Sequence, residues 1–279
     1  MICTTPRETM PGELPGELPG AIPGAIPGAP KLSVVIPARN EAGQIGKTLE
    51  ALMACAAGSR PELIVADGSS EDNTRQMARS MGAAVVTCEP GRARQMNAGA
   101  AAAAGEWLLF LHADTLPPTD YPRHIRETLA QPGVIAGAFQ LHIDAPNRSL
   151  RAIEWCVNLR SRWLSLPYGD QGLFMRANTF RNLGGYADLP VMEDYELVRR
   201  LGKVGRVALA EAHVVTSARW WLRKGVWCAT LLNQACVVGY HLGVSPARLA
   251  AWRGTRCGSA AVRCGPATPD HEPVSTAGE

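Results

Sequence analysis

The chain has 279 residues, of which 46% are hydrophobic and 19% are charged, and its formal net charge is +3. This composition is ordinary for a globular protein and excludes a strongly basic nucleic-acid-binding protein. The eight cysteines are scattered without a Cys-X-X-Cys pair, which opposes a cysteine metal site and favours a reducing compartment. No stretch reaches the roughly 18 consecutive apolar residues of a membrane span, so we expect a cytoplasmic protein.

Low-complexity sequence flanks the predicted domain on both sides. Residues 11–30 repeat a Pro-Gly tetrapeptide, in which proline opposes helix and glycine opposes a stable strand. No apolar core of a secretory signal precedes this repeat. We therefore predict a disordered leader over 1–30, a folded domain over 31–253 and a disordered tail over 254–279.

The first half of the domain alternates short apolar runs with helical patterns. We predict strands over 32–36, 63–66, 84–87 and 107–111, and the periodicity between them predicts three helices. This alternation predicts an α/β fold with a mostly parallel, Rossmann-like sheet and helices on both faces.

Acidic residues follow three of these four strands. Glu41, Asp67 and Asp114 lie in the loops after the first, second and fourth strands. Since the carboxyl ends of parallel strands meet at one edge, where such sheets bind ligands, the three acids together predict a binding site. For the stretch around Asp114 alone, a turn and a cation site both remain open.

The second half of the domain is less regular. We predict helices over 121–131, 148–166, 178–183, 193–202 and 224–242, and strands over 134–143, 173–176, 206–209 and 213–216. Gly137 is expected to kink the first of these strands.

Five motifs occur in order along the domain: VVIPARNE, ADGSSEDNT, GRARQMNAGAAAAAGEWLLFLHADT, GDQGLFMR and VMEDYELVRRL. Together they resemble glycosyltransferase family 2, the nucleotide-sugar enzymes of the GT-A fold. The resemblance covers about 31–253 and implies that fold, with a nucleotide-binding half over 31–116 and an acceptor half over 117–253. The chain is most similar to a bacterial subgroup with His-Ala-Asp in place of Asp-X-Asp, whose names refer to arsenosugar or carotenoid-acid glycosylation.

The resemblance implies a donor site at the predicted sheet edge. The implied nucleotide-binding residues are Pro37, Arg39, Glu41, Asp67, Arg92 and Arg94. Carboxylates accept hydrogen bonds from base and ribose, and guanidinium groups match phosphate oxygens. Asp114 would hold Mn²⁺ or Mg²⁺, while His112 would be either a second ligand or an ordinary strand-end histidine. His213 is a further metal candidate, with a surface or core role as its alternative.

The resemblance also implies the chemistry of transfer. Asp194 would be the base that deprotonates the acceptor, and a helix start would stabilise its carboxylate; a capping role is the alternative. Asp170, Gln171 and Glu193 would lie on the acceptor side. These roles imply an inverting glycosyltransferase that moves a sugar, by default from UDP-hexose, to a hydroxyl or carboxylate without a covalent enzyme intermediate.

Other classes explain the motifs less well. A phosphohydrolase of the haloacid dehalogenase class needs an aspartate nucleophile where His112 stands, and a dinucleotide oxidoreductase needs a Gly-X-Gly-X-X-Gly loop that is missing. A non-catalytic scaffold that binds nucleotide sugars remains the alternative. The missing first Asp of the metal motif supports it, and the presence of Asp194 opposes it.

The implied acceptor half is rich in tryptophan and includes Trp155, Trp163, Trp220, Trp221 and Trp227. Core packing and an apolar acceptor groove are both open interpretations. The pair Trp220-Trp221 near Arg219, Arg223 and Lys224 also suits a membrane surface. We therefore expect a small or lipid-like acceptor, at most peripheral contact with the inner membrane face, and no nucleic-acid partner.

Overall fold

A computed structural model describes residues 31–254, so the predicted leader and the predicted tail beyond Gly254 lie outside the described residues. The strands are β1 (Leu32–Ala38), β2 (Glu62–Asp67), β3 (Ala84–Thr87), β4 (Trp107–Phe110), β5 (Thr115–Leu116), β6 (Val134–Asp144), β7 (Leu173–Arg176) and β8 (Arg206–Ser217). The helices are α1 (Ala42–Ala54), α2 (Thr74–Ser80), α3 (Arg92–Ala102), α4 (Tyr121–Leu129), α5 (Arg148–Leu164), α6 (Ala177–Asn182), α7 (Glu193–Val204), α8 (Arg219–Lys224), α9 (Val226–His241) and α10 (Pro246–Arg253), with a 3₁₀ turn over Gly169–Gln171.

One eight-stranded sheet runs through the described chain in the order β3-β2-β1-β4-β7-β6-β8-β5. The strands β1 to β4 form parallel pairs, and β6 pairs in parallel with β8. The strand β7 lies antiparallel between β4 and β6, and β5 lies antiparallel beside β8. The predicted mostly parallel sheet is therefore confirmed, with antiparallel strands added by the second half.

Apolar residues cover both faces of the sheet centre. Along β1, Val34 and Ile36 belong to one buried cluster and Val35 to another on the opposite face. The first cluster includes residues of α1 and α4, and the second includes residues of α3 and α7. Because helices cover both sides, β1 and β4 read as continuous apolar runs rather than alternating ones.

The predicted strands 206–209 and 213–216 form one strand, β8. Opposite them, Ala138 of β6 pairs with Leu209 and Gln140 pairs with His213, so one residue of β6 faces three of β8. This bulge produces the gap in the sequence pattern. Gly137 keeps its pairing, and a Cβ there would lie 2.5 Å from the Phe174 ring, so the glycine permits a close contact rather than a kink.

The predicted helix 224–242 is wrong at its beginning. Gly225 has φ of 83°, a left-handed conformation that separates α8 from α9. The short elements β5, α8 and α10 lack a strong sequence periodicity and are missing from the prediction. Within 31–254, no helix is long and apolar enough to cross a membrane.

Candidate active site

The carboxyl ends of β1, β2 and β4 lie together, as the alternation predicts. Ala38 ends β1 and pairs with Asp67, which ends β2. The buried amide of Gln95, on α3, donates to the carbonyl oxygens of Ala38 and Ala66 at 2.7 and 2.9 Å. This side chain fixes the two strand ends beside each other, so the first two predicted acid-bearing loops open at one place.

Asp67 is fully buried and has an incomplete set of hydrogen bonds. Its Oδ2 accepts from the backbone N–H of Ser70 at 3.0 Å and lies 3.8 Å from Nε of Arg75. Its Oδ1 is buried without a hydrogen-bond partner within the described chain. A buried carboxylate oxygen without a donor is costly, so this atom is suited to accept from a ligand N–H or O–H.

A single guanidinium joins Glu41 and Asp114 above the sheet edge. Nη2 of Arg219 lies 2.9 Å from Oε2 of Glu41 and 2.9 Å from Oδ2 of Asp114. Two predicted site acids therefore share one cation. A positive charge held between two carboxylates at this edge can also interact with an anionic ligand.

The sequence did not predict that Arg219 belongs to the site, because the position of this residue depends on distant strand pairing. Thr115 of β5 pairs with Thr216 of β8, and the N–H of Ser217 donates to the carbonyl of Asp114 at 3.1 Å. This pairing brings the segment after β8, which contains Arg219, next to Asp114. The only local signal was the basic start of a short aromatic stretch, which does not specify a target.

Arg92 connects the sheet edge with the acids of α7. Its half-exposed guanidinium lies 3.4 Å from the buried carboxylate of Glu193. Partial burial lowers the pKa of Arg92, but the charges of Glu193, Asp194 and Asp114 outweigh it and raise the pKa above its usual value. Asp114, predicted to bind the metal ion, and Asp194, predicted to be the base, therefore both lie within electrostatic reach of Arg92.

His112 is neutral at physiological pH. Burial and the nearby guanidinium of Arg92 lower the pKa of His112 to about 4, and Asp114 and Asp194 oppose this shift. A neutral imidazole has a lone pair that can bind a metal ion. The structure thus keeps His112 chemically able to serve as a ligand.

Within residues 31–254, the predicted metal site offers fewer than three protein ligands. No group of three His, Cys, Asp or Glu side chains within 31–254 is arranged to hold a metal ion. A divalent cation bound by Asp114 and His112 would therefore need further oxygens from a substrate. One or two carboxylates completed by substrate phosphates is a usual arrangement for Mg²⁺, so the residues fit such an ion.

Asp194 lies in the first turn of α7 and fixes the 3₁₀ turn. Its Oδ2 accepts from the N–H of Gly169 and its Oδ1 from the N–H of Tyr195, both at 2.7 Å. The neighbouring Asp170 has Oδ1 buried without a partner in the described structure. Burial raises the pKa of Asp170 to about 6, with Arg160 lowering it and Asp194 raising it further. The two carboxylates form a pair whose charges influence each other.

Asp170→Asn is expected to increase the free energy of unfolding at pH 8 by about 1–3 kcal/mol, because it removes a charge held in a poorly solvated place. The unfolded carboxyl titrates near 3.8 and the folded one near 6. The wild type therefore loses stability as the pH rises from 3.8 to about 6, and the loss is constant above that.

Chemical denaturation of both proteins at pH 8 and pH 4 measures this effect. The difference should shrink to a few tenths of a kcal/mol at pH 4, where the folded carboxyl is protonated. Asp144→Asn, at an exposed aspartate that ends β6, is the control. Equal stability of Asp170→Asn and wild type at pH 8 would contradict the charge burial.

Gln171 is corrected by the structure. Its side chain is fully buried, and its Oε1 accepts from Ser161 and from the N–H of Tyr168, while its Nε2 donates to the carbonyl of Phe139. The amide is satisfied inside the fold and does not face an acceptor. Glu193, also predicted on the acceptor side, is buried against Arg92.

The remaining predicted residues lie at the rim or outside the cluster. Arg94 is two positions from Arg92 on α3 and turns away to bind Asp188 and Glu89. Pro37 lies within β1, and Arg39 is exposed directly after it. His213 is exposed on β8 opposite Gln140. Arg219, rather than His213, is the residue from this part of the chain that reaches Asp114.

Two solved structures share this fold. The mannosyltransferase PcManGT from Pyrobaculum calidifontis, in complex with GDP-Man and Mn²⁺, superposes with a TM-score of 0.54 at 20% identity, covering 67% of this chain and 56% of that one. S. aureus TarS 1-349, in complex with UDP, gives a TM-score of 0.52 at 18% identity, covering 67% and 60%. At these identities the likeness concerns the fold, and it confirms the predicted GT-A fold.

Two curated proteins are similar to this chain at the sequence level. The "Glucosyl-3-phosphoglycerate synthase" of Mycolicibacterium smegmatis is 33% identical over 96 residues, 31% of this chain and 32% of that protein. The "Probable glycosyltransferase YdaM" of Bacillus subtilis is 25% identical over 228 residues, 71% of this chain and 54% of that protein. The chain thus spans less than two thirds of the length of either relative. A sequence profile described as "Glycosyl transferase family 2" matches residues 33–187, more than half of the chain, which therefore belongs to glycosyl transferase family 2.

Proposed function

We propose that this chain is an inverting glycosyltransferase that moves a sugar from a nucleoside diphosphate sugar, with UDP-hexose as the first donor to test, to an acceptor hydroxyl or carboxylate. The observation that carries the proposal is the place of Arg92, which lies 3.4 Å from Glu193 beside Asp194 and under the electrostatic influence of Asp114. A transferase needs charge for its leaving group beside a base for its acceptor, and this crevice provides both.

The nucleotide is assigned to the ends of β1 and β2. The unpartnered Oδ1 of Asp67 would accept a hydrogen bond from the base or ribose. Pro37 would provide an apolar surface, and Arg39 and Glu41 would contribute polar groups at the rim. UDP and GDP-Man in the solved GT-A structures support a nucleotide at this edge.

The diphosphate is assigned to the edge beside Asp114. Arg219 and Arg92 present guanidinium groups there, which bind phosphate oxygens through paired N–H groups. Asp114 and His112 would hold a divalent cation, which would neutralise charge on the departing diphosphate. Mn²⁺ in the PcManGT structure supports a cation in this role. Arg94 remains a candidate for donor binding only if it leaves Asp188.

Asp194 is assigned as the base, because the family resemblance implies that role and its carboxylate lies in the first turn of α7, against Gly169 of the 3₁₀ turn. A hydroxyl acceptor attacks the anomeric carbon through its oxygen as its proton passes to Asp194, whereas a carboxylate acceptor attacks without a proton transfer. The bond from that carbon to the diphosphate breaks, and the nucleoside diphosphate departs. This single displacement inverts the anomeric configuration and leaves no covalent enzyme intermediate.

The acceptor class belongs to the same proposal. The His-Ala-Asp motif supports arsenosugar, carotenoid-acid or glycolipid synthesis, with a small or lipid-like acceptor. The nucleotide half, 31–116, and the acceptor half, 117–253, are likewise assigned by function, since one sheet runs through both. The acceptor would approach from α7 and the Gly169–Gln171 turn, where Asp194 and Asp170 lie.

Saturating UDP-glucose with Mn²⁺ is expected to raise the melting temperature by about 5–10 °C, because a ligand at about 100 times its Kd adds about 2.7 kcal/mol to the stability. Asp67→Asn should abolish most of this shift, since the amide nitrogen cannot accept the ligand's hydrogen bond. Differential scanning fluorimetry with UDP-, GDP- and dTDP-sugars measures it, and Asp144→Asn should shift like the wild type. No shift with any nucleotide sugar, in Mn²⁺ or Mg²⁺, would contradict the proposal.

A non-catalytic scaffold is the competing function. A scaffold would show the same rise in melting temperature with a nucleotide sugar. It would show no sugar transfer to any acceptor tested and no hydrolysis of the donor. Its only support is the histidine in place of the first metal-motif aspartate, and the neutral state of His112 weakens that support.

A further inference from the structure

The helices α5, α8 and α9 expose a large apolar surface outside the proposed active site. The outer side of α9 carries Trp227, Leu231, Val238 and Leu242 at its end, which are 57–79% exposed and recur at helical spacing. The sixteen residues of α9 contain no Asp, Glu, Lys or Arg. A helix without charged residues that leaves large apolar side chains exposed is normally covered by something.

The same pattern continues on α5. Trp155, Leu159 and Trp163 are spaced by four residues and are exposed. On the inner side, Ile153 of α5, Trp221 of α8 and Ala229 of α9 belong to one buried cluster, so the three helices form a layer whose outer sides face solvent. We call the outer side of α5, α8 and α9 the basic apolar face, because α5 and α8 also carry basic residues.

Positive charge occurs in the same stretches of chain as the exposed apolar residues. The stretches 145–168 and 218–254 contain nine Lys and Arg residues and one acid, Glu154, which is buried. Five of the nine are exposed and form no ion pair with any residue of 31–254: Arg148, Arg162, Arg223, Lys224 and Arg248. Unpaired cations beside exposed tryptophans match the headgroup level of an anionic bilayer.

We propose that the basic apolar face docks on the surface of a bilayer rich in anionic lipid. Exposed tryptophan and leucine side chains enter the interface, and the exposed cations of α5 and α8 bind lipid phosphates. A second copy of the chain fits the face poorly, since a two-fold contact would place the same positive charges opposite each other.

Flotation of the full chain with vesicles tests the docking. We expect binding to vesicles of equimolar phosphatidylglycerol and phosphatidylcholine, weak binding to pure phosphatidylcholine, and loss of binding at high salt. The double variant Arg148→Glu/Arg162→Glu should weaken binding to the anionic vesicles by about tenfold or more. Trp155→Ser/Trp163→Ser/Trp227→Ser should weaken it similarly and should reduce the blue shift of tryptophan emission on binding.

Matched controls separate the face from the rest of the surface. Met53 on α1 and Val204 on α7 are also exposed apolar residues, and Met53→Ser/Val204→Ser should bind vesicles like the wild type. The charge-reversal pair leaves the apolar residues in place, so it decides the matter if the tryptophan variant folds poorly.

Three results would overturn the proposal. One is a full chain that does not float with anionic vesicles at low salt. Another is equal binding to neutral and anionic vesicles. The third is self-association that the tryptophan substitutions abolish in a chain without vesicle affinity, since the face would then cover a second copy.

Discussion

Asp194→Asn is expected to lower the rate of sugar transfer by about a thousandfold, because general-base catalysis typically contributes 10²–10⁴-fold. The amide keeps the size of the side chain, and its oxygen can still accept from the N–H of Gly169. The 3₁₀ turn should therefore stay in place, and the Kd for UDP should change by less than about threefold, because the substituted group lies on the acceptor side.

Steady-state transfer with a chromogenic or radiolabelled acceptor measures the rate, and calorimetry measures the Kd. Asp188→Asn is the matched control, since Asp188 is an exposed aspartate bound to Arg94. Full activity of Asp194→Asn would show that Asp194 is not the base.

Arg219→Ala is expected to raise the Kd for UDP by about 10–100-fold, as a hydrogen bond to a charged group contributes about 1.5–3 kcal/mol. The affinity for uridine, which has no phosphate, should stay unchanged. Arg219→Lys should recover only part of the loss, because an ammonium group cannot form the paired N–H contacts of a guanidinium.

Isothermal titration with UDP and with uridine separates two roles of this residue. If Arg219 only holds Glu41 and Asp114 together, the alanine variant should bind both ligands with equally reduced affinity, since the whole edge would loosen. Arg223→Ala, four residues further along α8, is the control and should match the wild type in solution. Unchanged UDP affinity in Arg219→Ala would remove the residue from the donor site.

Much of the first half could be predicted from the sequence, because its signals are local. Apolar runs specify β1 to β4, and the bounds predicted for β3 are those of the structure. The acids Glu41 and Asp114 follow the ends of neighbouring strands, so the parallel order of the sheet is sufficient to bring them to one edge.

The rest of the site could not be predicted, because it depends on burial and on distant pairing. A glutamine at position 171 suggests a contact with a sugar hydroxyl. The side chain is instead buried, and three hydrogen bonds inside the fold occupy its amide group. The partners of Arg219 lie 105 and 178 residues earlier in the chain, and only the pairing of β5 with β8 brings them together. No local pattern contains that information.

The place of β8 in the sheet also sets an order of events during synthesis. Asp114 and Arg219 are 105 residues apart, and at about 5–20 residues per second a ribosome needs about 5–20 s to travel between them. The region that the family profile matches ends at residue 187, before α7 and β8 have been made. A nascent chain therefore exposes the acids of the early strands well before their counter-charge exists. The crevice is completed only when one of the last segments of the described chain leaves the ribosome.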